Sequence, residues 1–148
     1  MSILSSAKAL LEADATLLAT ATGGCYDYDE TGRMGINRTN TSGAFDSNGV
    51  IKPTVLIKLR SSTPDYDLVD DSNQTVSLRE MLEVWFYGDY NFTAIETMRN
   101  RVYVLLHAKQ FGGAFLALWQ GDVRNQRDIE LDAFCERSDY LVKAKRQV

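Results

Sequence analysis

The chain has 148 residues, 45% of them hydrophobic and 24% charged, with 20 acidic against 16 basic side chains and a formal net charge of -4. That length buries enough apolar surface for a core without metal or disulfide, and the negative balance excludes a protein that coats nucleic-acid phosphates with its whole surface, though not a local basic patch. Cys25 and Cys135 lie far apart with no C-x-x-C spacing and His107 is the only histidine, which excludes zinc-ribbon, dithiol and His-cluster chemistry.

Residues 3 to about 18 predict one amphipathic helix. Leu4, Ala7, Leu11 and Leu18 keep a face at helical spacing, with Leu10 and Leu17 beside it. Lys8, Glu12 and Asp14 interrupt the apolar run, so neither a secretory segment nor a membrane span is expected, and a soluble protein made in a cytoplasm is. Gly23-Gly24 stops the helix. From Cys25 to Val50 the chain reads as a long connection rich in Gly, Asn, Thr and Ser, with Met34, Ile36 and Phe45 as its only anchors. A connection of that length is expected to be functional or ordered by a partner.

Pro53–Leu59 predicts a strand, with Pro53 at its permitted first position. A turn-rich acidic segment, Ser61–Asn73, leads to Thr75–Tyr87. There Leu78, Leu82, Val84 and Phe86 share one face and Met81, Glu83, Trp85 and Tyr87 the other, the clearest period of two in the sequence. The two strands predict an antiparallel pair. Phe92–Lys109 predicts the main helix, capped by Asn91 or Thr93, with Ile95, Met98, Val102, Leu105 and Leu106 on its buried stripe and Arg99 and Arg101 on polar sides. Ala114–Val123 and about Leu131–Lys145 predict two closing strands. The fold class is therefore α+β: a mostly antiparallel sheet of about four strands, two main helices packed on it, and long variable loops. Apolar and aromatic residues on both faces of Thr75–Tyr87 predict helices on one face and a neighbouring chain on the other.

Two short motifs invite chemistry. Asp27-Tyr28-Asp29-Glu30-Thr31-Gly32 has the D-x-D-x-x-G opening of a calcium loop, but Arg38 stands where the closing bidentate Glu belongs. The same residues mimic an aspartate nucleophile motif, yet no buried strand leads into Asp27, and a solvated turn is the simpler reading. The carboxylates Asp65, Asp67, Asp70 and Asp71 form a cluster that reads most simply as a solvated hairpin tip, with a basic protein partner the next reading and a metal the least. His107 reads as a structural residue at a helix C-terminus, where a cation complements the dipole. Nothing near Cys25 or Cys135 activates a thiol. No Gly-rich phosphate loop, G-x-S-x-G or H-x-E motif occurs. Catalytic, cofactor and metal residues are accordingly expected to be none.

The order of elements carries a likeness. An N-terminal helix is followed by a Gly/Asn-rich excursion, the strand Pro53-Thr-Val-Leu-Ile-Lys and the strand Leu82-Glu-Val-Trp-Phe-Tyr. Then come the helix Ala94-Ile-Glu-Thr-Met-Arg-Asn-Arg-Val-Tyr-Val-Leu-Leu and a closing pair ending Arg137-Ser-Asp-Tyr-Leu-Val. Over nearly its whole length this resembles the tail-terminator (tail-completion, head–tail joining) proteins of long-tailed bacteriophages. The resemblance implies a single domain over residues 1–148 with no chemistry of its own. It implies a hexameric ring on the last ring of the tail tube, which ends tube growth and docks to the head connector. The implied partners are further copies of the chain, the tube protein and the connector. DNA passes only through the lumen, there is no membrane partner, and the protein resides in the virion after assembly in the host cytoplasm. Another neck or tail-tube protein, or a small cytosolic module holding a metal on Asp27 and Asp29, are the alternatives.

A closed ring needs two different patches on each subunit. Trp85, Tyr87 and the Asp65, Asp67, Asp70 and Asp71 loop are the candidates for one. Arg124 and Arg127 with Lys143, Lys145 and Arg146 are the candidates for the other.

Overall fold

From Ser77 onward, the alternating segment that ends at Tyr87 is the middle strand of the sheet; Thr75 and Val76 lie outside the described residues. In a computed structural model describing residues 2–64, 77–112 and 114–145, the order along the chain is α1 (Ile3–Glu12), α2 (Ala15–Thr20), β1 (Gly24–Asp27), α3 (Tyr28–Thr31), β2 (Thr54–Pro64), β3 (Ser77–Gly88), α4 (Phe92–Leu106), β4 (Ala114–Asp128) and β5 (Ala133–Lys145). The strands form one sheet in the order β1-β2-β3-β5-β4. The α+β architecture is the expected one, and β2, β3, β5 and β4 pair antiparallel. A fifth strand joins them: β1 lies parallel to β2, Gly24 opposite Thr54 through Asp27 opposite Ile57. Four residues are too few to show a period, so the sequence alone predicts connection here.

The inward side chains of β3 decide the core. Leu82, Val84 and Phe86 are fully buried and meet Val55 and Ile57 of β2 and Tyr140 and Val142 of β5. Above them lie Leu4, Ala7, Leu11 and Leu17 of α1 and α2, with Ile95, Met98, Val102 and Leu106 of α4. Asn91 caps α4 through Oδ1, which accepts the Ala94 N–H at 3.1 Å.

The N-terminal segment is two helices, not one. The first ends at Glu12 and Asp14 caps the second, accepting the Leu17 N–H at 2.8 Å. The break rotates the apolar face, so Leu17 is buried and Leu18 is exposed. Arg101 of α4 closes on the same Asp14 carboxylate in a fork at 2.7 and 2.8 Å, a geometry matched to the planar guanidinium. Hydrogen bonds from Arg101, with the Leu17 N–H adding, hold the Asp14 carboxyl below its usual range. A depressed carboxylate pKa stabilises the fold above its unfolded value and loses that contribution as pH falls through the folded value. Asp14→Asn is therefore expected to be less stable than the parent at neutral pH, with the gap closing under acid conditions below the usual carboxylate range. Urea unfolding at both pH values measures it; a gap that does not depend on pH contradicts the assignment.

The second sheet face also corrects an expectation. Half of it is covered by the chain's own Gly/Asn-rich segment rather than by a neighbour. Ile36, Ala44, Phe45 and Ile51 pack on Leu56, Tyr87, Ala133 and Cys135 as a second buried cluster. Met34, read as an anchor, is 69% exposed. The segment is held by local polar bonds. Asn37 Oδ1 accepts the Thr39 and Asn40 N–H groups at 2.9 and 2.7 Å. The Arg38 guanidinium donates to the Gly49 carbonyl at 2.8 and 3.1 Å while lying 4.9 Å from the centre of the Phe45 ring. Close approach fixes Gly23 at the entry to β1, where a Cβ would stand 2.0 Å from Thr54 Oγ1.

Candidate interaction surface

Asp27 is neither a calcium ligand position nor part of a solvated turn. It ends β1, is buried, and forms a capping box for α3: its carboxylate accepts the Glu30 N–H at 3.0 Å while Glu30 accepts the Asp27 N–H at 3.2 Å. Glu30 also pairs with Lys8 of α1. Among the described residues no group of three or more His, Cys, Asp or Glu is arranged to hold a metal, and no helix is long and apolar enough to cross a membrane. Burial pushes the Cys25 thiol up to about 12, with Glu12 adding to it, and the Cys135 thiol up to about 11, with Asp128 and Glu136 adding. Thiols shifted that way are protonated at neutral pH.

Of the interface candidates, Trp85, Tyr87 and Arg127 come together. They line an open groove of about 410 Å³ on the second sheet face, with Lys58, Cys135 and the β4–β5 turn at Ile129. The Trp85 and Tyr87 rings stack with centres 6.5 Å apart. Lys58 Nζ lies 5.0 Å and the Arg137 guanidinium 5.5 Å from the centre of the Trp85 ring, and Trp85 Nε1 donates to Glu83 Oε2 at 3.0 Å. The aromatic is thereby held in one orientation by cations and a carboxylate. Tyr87 is nearly buried, and that burial raises its phenol pKa. Arg127 is tied to Asp132 at 2.7 Å, and Tyr90 donates to the same oxygen at 2.7 Å. Ile129 at the turn is 82% exposed.

Among the described residues the basic candidates do not form one patch. Lys143 lies across from Arg79 on β3, whereas Arg127 pairs with Phe134 at the far end of β4. Arg124 is on the helix side, 3.8 Å from Asp122. Asp65, Asp67, Asp70, Asp71 and Arg146 fall outside the described residues, as does the side chain of Lys145.

Sequence reasoning missed the polar centre of the helix side. Arg99, read as a polar-face residue, is buried and pairs with buried Glu136 of β5, with Asp122 Oδ2 at 3.5 Å from its Nε. Its position four residues after Ile95 and three before Val102 is the signal, because that spacing places it inside the apolar stripe. Asp122 Oδ1 accepts from Ser138 Oγ at 2.6 Å and from Trp119 Nε1 at 2.9 Å. Beside this network is a cavity of about 250 Å³ with Tyr140 at its base and Tyr103 and Trp119 at its mouth. Tyr103, Val104 and Trp119 are all exposed, and Tyr103 meets Trp119 edge-on. His107 stacks on Tyr103, and its Nδ1 accepts the Trp119 N–H at 3.1 Å. This bond ties β4 to the end of α4.

A chain in the structure of the virion of a native gene transfer agent (GTA) particle superposes on this one with a TM-score of 0.56, covering 97% of this chain and 93% of that chain at 15% identity. The two share a fold. No family model and no curated protein matches the sequence. The likeness thus lies in the arrangement of sheet and helices over almost the full length of both chains. At this identity it extends to no particular side chain.

Proposed function

We propose that this chain is a structural protein of a phage-like virion, a single domain that forms a ring, hexameric in the terminator reading, at the head-proximal end of the tail tube. There it ends tube growth and joins the tail to the head connector, with no chemistry of its own and DNA only passing through its lumen. The observation that carries the reading is the near full-length fold likeness to a virion chain, which agrees with the terminator-like order of elements in the sequence.

Surface chemistry is compatible with ring closure. A heterologous contact closing by rotation uses two unlike patches, and two are present on opposite faces of the sheet. One is the groove of Trp85, Tyr87 and Ile129; the other is the exposed Tyr103, Val104 and Trp119 above the helix-side cavity. Each combines aromatic area with fixed polar groups, the composition of interface centres.

Adding the purified chain to polymerising tail tubes is expected to stop their growth, with gold-labelled protein at one tube end only. Label along the tube walls, or tubes of unchanged length, would overturn the terminator role, and copolymerisation would favour a tube protein.

A further inference from the structure

The part of the second sheet face left open by the Gly/Asn-rich segment has its own chemistry. Met81 of β3, Leu141 of β5 and Leu118 of β4 lie side by side across three strands, each half-buried. Cations surround this apolar row. Arg79 and Lys143 face each other one pair further along the same face, and Arg60, Arg137 and Lys58 lie on its other side. Among the described residues, the carboxylates engaged on this part of the face are Glu83 and Asp139. Arg60 and Arg137 both engage them, Arg137 Nε standing 2.9 Å from Asp139 Oδ1. Lys58, Arg79 and Lys143 have no carboxylate within ion-pair distance among the described residues. In a chain of net charge -4, this is a local excess of positive charge around an apolar stripe.

The complementary segment is in the same sequence. Asp65-Tyr-Asp-Leu-Val-Asp-Asp71, between β2 and β3, carries four carboxylates around Tyr66, Leu68 and Val69. We propose that the open half of this sheet face is the receiving surface for segment 65–71 of a neighbouring copy, its aspartates meeting Arg79, Lys143 and Lys58 and its apolar residues covering Met81, Leu118 and Leu141. The inference rests on the ring reading and names the contact that closes it. Opposite charge sets register and speeds encounter, while the apolar row supplies the area removed from water. The contact is heterologous, loop to face, as a ring requires.

Charge reversal in separate copies tests it. Asp70→Lys with Asp71→Lys in one copy, and Arg79→Glu with Lys143→Glu in another, are each expected to weaken self-association about tenfold or more at low salt, since like charges then face each other. Mixing the two variants is expected to restore it, because every loop then finds an oppositely charged face in an alternating ring. Unchanged association of either variant overturns the proposal. So does recovery only when all four reversals share one chain, which would mean that the segment covers its own face. A parent chain that never self-associates, even with tube ends present, overturns the ring reading instead. A peptide of residues 64–72 titrated into the full chain then tests the face alone: saturable, salt-sensitive binding lost in Arg79→Glu/Lys143→Glu supports the receiving surface, and no binding overturns it.

Discussion

Glu136→Ala is expected to cost roughly 3–5 kcal/mol of folding stability, as removal of one member of a buried ion pair does. Glu136 and Arg99 are 4% and 7% exposed, so the guanidinium left behind has little access to water. Asp122 lies at 3.5 Å and already accepts from Ser138 and Trp119, and it compensates only part of the loss. The substitution also removes the acceptor for the Asn125 N–H at 3.4 Å, where the backbone has a φ of 59° in the irregular stretch of β4 between Val123 and Gln126. Arg99→Met with Glu136→Leu removes both charges together and is expected to recover most of the loss, because apolar replacement of a whole buried pair is often neutral. Urea unfolding of the two singles and the double measures this. A single that falls by less than about 1 kcal/mol would show that the pair is solvated.

Phe86→Ala is expected to cost about 3–5 kcal/mol, the range for an aromatic removed from a packed core. Phe86 is fully buried near the C-terminal end of the middle strand, on the face the helices cover. Trp85, one residue earlier, points to the opposite face and is half-buried. Trp85→Ala is expected to cost only about 1–2 kcal/mol in the monomer, its exposed part contributing little on folding, and to lower self-association markedly because the ring anchors the groove. Thermal unfolding of both, with light scattering of Trp85→Ala, separates the two roles. Equal losses of stability would place Trp85 in the folding core instead.

Where the sequence was legible, the physics was local. The period of two in β3 needs only alternation, the stripe of α4 only helical spacing, and the Asn91 cap only a side-chain oxygen three residues before an orphan N–H. Illegible features were set by distant partners. The break between α1 and α2 lies in a run compatible with one continuous helix, and the Asp14 that caps the second helix is gripped by Arg101, 87 residues away. The fold-over of the Gly/Asn-rich segment depends on Ile36, Phe45 and Ile51, isolated apolar residues whose burial only the sheet can provide. β1 exists because β2 offers it an edge.

The interaction surface was legible in part. Trp85 and Tyr87 follow from alternation, and the structure adds Lys58 and Ile129 to their groove. Arg124, Arg127 and Lys143 group together in the sequence by charge alone. Strand direction and pleat instead send Arg124 to the helix side, leave Lys143 on the other face opposite Arg79, and pair Arg127 with Phe134 at the far end of β4, its guanidinium on Asp132. The exposed Tyr103–Val104–Trp119 patch joins a helix to a strand and shows no pattern in either segment alone.

The ring reading is tested most directly by the oligomeric state: light scattering across a concentration series, with negative-stain imaging of any large species. Closed rings of about six copies, on the order of 100 kDa for a 16.6 kDa chain assembled through head-to-tail contacts, are the expected result, formed in solution or on added tube ends. Open filaments that lengthen with concentration, or a chain that stays monomeric with tube ends present, would contradict it.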